Sequence, residues 1–101
     1  MTTNIVWERR ALTDREDIFL YLNKEAGALV AIAADDRLAT MVDILKENPM
    51  AGVQVGRTLK HRKLVIPHFP FIVVYVADGN KVSILRVLHT SRKIAGQYSR
   101  S

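Results

Sequence analysis

The groups able to act on an anion gather in the second half of the chain. Between Gly56 and Arg92 the sequence carries Arg57, Lys60, Arg62, Lys63, Arg86 and Arg92 together with all three histidines, His61, His68 and His89. The first fifty residues hold six Lys/Arg against nine Asp/Glu, and the last fifty-one hold nine against one. A half so basic is a candidate surface for nucleic acid or an acidic protein. It lacks the groups for several other chemistries. With no cysteine and histidines seven and twenty-one residues apart, no metal-ligand spacing is present, and no cofactor-binding motif appears. Asp78 is the one acid of this half and falls in a turn, so hydrolysis by paired carboxylates is disfavoured. A catalyst built here would use Arg, Lys, His and Tyr, which suits cleavage of RNA by its own 2′-hydroxyl with cations stabilising the phosphorane. His89, ending an apolar run near Arg92, is the best placed imidazole for moving a proton.

Each of these has a structural alternative. Lys60, His61, Arg62 and Lys63 form a charge run that also fits an edge strand guarding against pairing with another sheet. Arg86, between Leu85 and Val87, needs a phosphate, a carboxylate or water, and an internal ion pair with Asp35, Asp36 or Asp43 would satisfy it. A plain strand-end histidine is more common than a catalytic one.

The elements that must position these groups follow from periodicity. Asn4–Glu8 alternates as a brief edge strand. Thr13 and Glu16 have the spacing of a capping box, predicting a helix from about Asp14, with Ile18, Tyr21 and Leu22 on its apolar face and Gly27 as its stop. From Ala28 to Glu47 a second helix is expected, with Ala31, Leu38, Met41, Val42 and Leu45 on one face, ended by Asn48-Pro49. Gly52–Gly56 reads as a loop. A strand then runs from near Arg57 to Ile66, interrupted at Pro67 and Pro70. Phe71–Ala77 reads as a central strand covered on both faces, and Asp78-Gly79-Asn80 turns the chain into a last strand, Val82–His89. Ser91–Ser101 is a basic stretch whose last part, residues 94–101, is a short helix or a loose tail.

The assembled order, strand, helix, helix and three strands, is an α+β domain: a twisted antiparallel sheet with an N-terminal helical hairpin on one face. Residues 1–101 make one domain, of a size that buries a core without disulfides. No signal peptide and no membrane span are expected from the polar N-terminus and the absence of a long apolar run, which makes a cytoplasmic protein the expectation.

The residues Gly56-Arg57, Arg62–Ile66, Phe71–Tyr75, Val82–His89 and Arg92 together resemble the RelE/ParE superfamily, toxins of bacterial type II toxin-antitoxin modules. The likeness extends over residues 3 to 98, and its specific part is Ile84–Arg92. It implies the same fold and a cytoplasmic toxin held inactive by a cognate antitoxin, whose alternating acidic and apolar residues would cover an apolar groove and the basic face. The superfamily has two activities. In the RelE-like branch, a metal-independent endonuclease cuts mRNA on the ribosome; the resemblance then places Arg62, Arg86 and Arg92 around the scissile phosphate, His89 or His68 as proton carrier and Tyr98 against the base. Arg57, Lys60, Lys63, His68 and Lys93 would hold nucleic acid. The ParE-like branch inhibits DNA gyrase with no catalytic chemistry. Arg92 and Tyr98 keep the nuclease spacing, which tilts the reading to that branch, while the arginine expected at the start of the central strand falls at Ile72. A third reading is a nucleic-acid-binding module without chemistry.

Overall fold

A computed structural model describes residues 3–56 and 60–90. Its elements are β1 (Asn4–Trp7), α1 (Arg9–Ala26), α2 (Ala28–Asp43), a 3₁₀ turn at Ile44–Lys46, β2 (Val53–Gln54), β3 (His61–Ile66), β4 (Phe71–Asp78) and β5 (Lys81–His89). The five strands form one sheet in the order β1-β5-β4-β3-β2. Three of its pairings are antiparallel, whereas β1 runs parallel to β5. The sheet is therefore mixed, because the chain passes from β1 through two helices and three further strands before it returns alongside its start.

The helical hairpin covers one face. Ile18 of α1 and Ala34, Leu38 and Val42 of α2 share a core with Leu64, Ile66, Phe71, Val73, Tyr75, Val82, Ile84 and Val87. The apolar faces expected of both helices are thus the buried ones, and apolar area removed from water is the main favourable term in joining the layers. Gly27 stops α1 as its type suggests: φ is +96°, and its amide donates to the carbonyls of Leu22 and Asn23, both at 3.1 Å. Its own carbonyl accepts from Ala31, so one glycine separates both helices.

Four local expectations are corrected. Helix α1 begins at Arg9, after an extended Glu8, so Thr13 and Glu16 lie inside it and form no cap. The chain is committed at Glu8, whose amide donates to Ile84 at 2.9 Å and closes the β1–β5 ladder. Residues 53–54, read as loop, pair with Lys63 and Arg62 as a two-residue edge strand. The basic strand is described from His61, with Lys60 in the turn before it, while residues 57–59 lie outside the described residues. Strand β4 is covered on one face: Phe71, Val73 and Tyr75 are buried, while Ile72, Val74 and Val76 alternate with them as half-buried residues.

Asp78-Gly79-Asn80 does reverse the chain, with Gly79 at φ +65° and Asp78 facing Lys81. Beyond it β5 carries a bulge. Ile84 faces Tyr75 and Arg86 faces Val74, leaving Leu85 as the extra residue. Strict alternation from Val82 and Ile84 would bring Arg86 to the helix-covered face. The bulge shifts the phase, so Val87 and His89 take those buried places.

Candidate functional site

Arg86 sits where β1 stops. Past Ile84 the edge of β5 has no strand beside it among the described residues, and α1 supplies a carboxylate instead. The Val87 amide donates to Asp14 Oδ2 at 2.9 Å, and Arg86 donates through Nε to Oδ2 at 2.7 Å and through Nη2 to Oδ1 at 3.0 Å. A two-pronged pair of this kind fixes both side chains and neutralises both charges. Their side chains are 21% and 14% exposed. The internal ion pair that the sequence allowed for Arg86 is present, with Asp14 in place of Asp35, Asp36 or Asp43. Asp35 is engaged elsewhere, accepting from Arg15 Nε at 2.8 Å and Nη2 at 3.1 Å, while the Arg15 guanidinium lies 4.7 Å from the Trp7 ring centre.

Arg62 lies on the helix-covered face opposite Tyr75. Its Nη1 donates to the carbonyl of Gly52 at 2.7 Å, and its Nε is buried with no partner among the described residues. Tyr75 completes this clamp, its hydroxyl donating to Pro49 and accepting the Gly52 amide, both at 2.8 Å. Burial raises the Tyr75 hydroxyl above its ordinary value of 10.0, partly opposed by the Gly52 amide and the Arg62 charge. Gly52 must be glycine, since a Cβ there would stand 2.6 Å from the Lys63 carbonyl and 2.8 Å from the Tyr75 ring. Tyr75 and Gly52 gave no functional signal in the sequence beyond an apolar run and a loop glycine.

His89 is 6% exposed on the same face, with its ring 5.4 Å from that of Tyr21 and 5.2 Å from that of Phe71, both edge-on. His68 stands exposed in the β3–β4 connection. Lys63 and His61 face Val74 and Val76, on the side of the sheet away from the helices. Lys60 pairs with Asp78 at 3.3 Å on the surface. Among the described residues Arg62, Arg86 and His89 each serve a different local contact: a loop carbonyl, an α1 carboxylate and a pair of aromatic rings. Arg57, Arg92, Lys93 and Tyr98, and the stretch read as helix or tail, lie outside the described residues. No helix among the described residues is long and apolar enough to cross a membrane.

The fold is also that of a solved chain described as "Chromosomal ParDE TA system from P. aeruginosa", with a TM-score of 0.76 and 20% identity, covering 86% of this chain and 95% of that one. No curated protein matches the sequence. The model of the family described as "ParE toxin of type II toxin-antitoxin system, parDE" matches residues 5–94, nearly the whole of the sequence. The chain belongs to the ParE toxin family of type II toxin-antitoxin systems.

Proposed function

We propose that the chain arrests growth by binding DNA gyrase, with no residue in a catalytic role, and that a cognate antitoxin holds it inactive. The observation that carries this reading is the use the fold makes of its polar groups. Arg86 is neutralised by Asp14, Arg62 anchors the Pro49–Gly52 loop, and His89 is enclosed between Tyr21 and Phe71. A nuclease stabilising a phosphorane needs cations aimed at one phosphate in water-excluded geometry. A toxin that acts by contact has no such requirement, and membership of the ParE family supports the same branch. The nuclease remains the second reading, favoured by the sequence spacing of Arg92 and Tyr98.

The helical hairpin supports the antitoxin half of the proposal. Leu29 is 85% exposed, and Leu12, Leu20 and Ile32 are exposed with it. An antitoxin segment that folds on docking would bury this apolar surface while its acidic residues meet the basic strands. The decisive assay adds purified chain to gyrase and, separately, to ribosomes carrying mRNA. Blocked supercoiling that antitoxin relieves, with intact message, is the expected result; cut message with unaffected gyrase would replace this reading by the nuclease.

A further inference from the structure

The β3–β4 connection is built to present one side chain. His68 has φ +71°, the only positive φ on a residue other than glycine among the described residues. The left-handed region is costly for a residue with a Cβ and free for glycine, although His, Asn and Asp tolerate it better than most. The frame around it is fixed. Pro67 and Pro70 lock their own φ angles, the Phe71 amide donates to the Phe69 carbonyl at 2.8 Å, and the Phe69 ring stacks on Phe71 at 5.7 Å with planes 7° apart. Thr90 ties the frame to the end of β5, donating to the Pro70 carbonyl from its amide at 2.7 Å and from its hydroxyl at 3.0 Å.

For this conformation the imidazole gives the fold nothing in return. His68 is exposed, and its side chain has no hydrogen bond, ion pair or ring contact with the other described residues. Glycine would adopt the same backbone without strain. Strain held at an exposed position by a rigid surround points to use outside the chain.

Resting on the reading of the chain as a toxin, we infer that His68 is a recognition residue for the toxin's protein target, displayed by a pre-organised hairpin tip. Pre-organisation lowers the ordering cost of binding, and an imidazole can both donate and accept a hydrogen bond. The partner is a protein rather than a nucleic acid because the hairpin's own segment, from Leu64 to Asn80, carries no lysine or arginine for a phosphate backbone. It fits a protein surface that offers a carbonyl or carboxylate acceptor beside apolar ground for Pro67, Phe69 and Pro70.

His68→Gly and His68→Asn test this, because both accept a positive φ and both remove the ring. Each variant is induced in cells and scored by surviving colonies, and each is purified for thermal unfolding and for binding to antitoxin and to a labelled single-stranded oligoribonucleotide. The expected result is growth arrest weakened by about tenfold or more, as for truncation of an interface hot spot, with antitoxin affinity unchanged and the thermal midpoint within about 4 °C of the parent or above it. Full arrest by either folded variant overturns the inference. Parallel loss of antitoxin affinity overturns it in favour of an antitoxin contact, and parallel loss of oligoribonucleotide affinity in favour of a nucleic-acid contact. Scoring arrest in cells makes the result independent of whether gyrase is the target, so failure of the gyrase assay and failure of His68 are separate outcomes.

Discussion

Arg86 and Arg62 secure two margins of one sheet, and they do so in opposite ways. On the β5 side Arg86 meets a carboxylate from α1, which also takes a strand amide, so charge and hydrogen bonds are satisfied together. On the β3 side Arg62 meets a neutral carbonyl of the Pro49–Gly52 loop and keeps a buried Nε without a partner among the described residues. The first is a clasp between layers whose components depend on each other. The second is an anchor that shares its loop with Tyr75 and leaves the arginine charge unmatched by any acid among the described residues. An arginine on a strand therefore says little about chemistry until its counter-group is known.

The contrast predicts a graded series of losses. Asp14→Ala should be the most damaging, about 3–5 kcal/mol in urea unfolding, because it removes at once the carboxylate that serves a largely buried guanidinium and the Val87 amide. A loss below about 1 kcal/mol would mean that the clasp does not join the layers. Gly52→Ala comes next at about 1–3 kcal/mol, since its Cβ would meet the backbone carbonyl of Lys63. Tyr75→Phe should follow at about 1–2 kcal/mol, by removing a donor and an acceptor from the loop clamp.

Tyr75 also sets a pH dependence. Its hydroxyl loses its proton less readily folded than unfolded, so the folded state holds more protons in alkaline solution. The stabilisation is complete below the ordinary value of 10.0 and is lost as pH rises through the higher folded value. Unfolding midpoints should fall above about pH 10 in the parent, and this part of the fall should be absent in Tyr75→Phe. At the foot of the series, Lys60→Ala removes an exposed pair with Asp78 and should cost under about 0.5 kcal/mol, within the scatter of a single denaturation curve.

What the sequence disclosed, and what it hid, divides along the same line. Features set by neighbouring residues were legible: Gly27 as a helix stop, the Asp78-Gly79-Asn80 turn, the apolar faces of both helices. Features set by distant partners were not. Thr13 and Glu16 had the spacing of a cap, but α1 starts where β1 ends, and Asp14 is held by groups 72 and 73 positions away. Parallel pairing of β1 with β5 left no local trace, nor did the Leu85 bulge that moves Arg86 out of phase with the core. His89 read as a candidate acid-base because it ends an apolar strand near Arg92, and its packing against Tyr21 and Phe71 left no local trace. Cationic residues were easy to find and their counter-groups were not, so the fold was more legible than the site.

The proposed gyrase reading requires that toxicity does not pass through the charge of Arg86. It is tested most directly by the paired substitution Asp14→Asn with Arg86→Gln, which removes both charges while keeping amide groups able to bond each other and the Val87 amide. Parent and paired variant are induced in cells at equal folded protein, and messages and chromosome are followed together. Both are expected to leave mRNA whole and to produce broken DNA with the damage response switched on. Cut messages with the parent, and their loss with the paired variant, would contradict the gyrase reading.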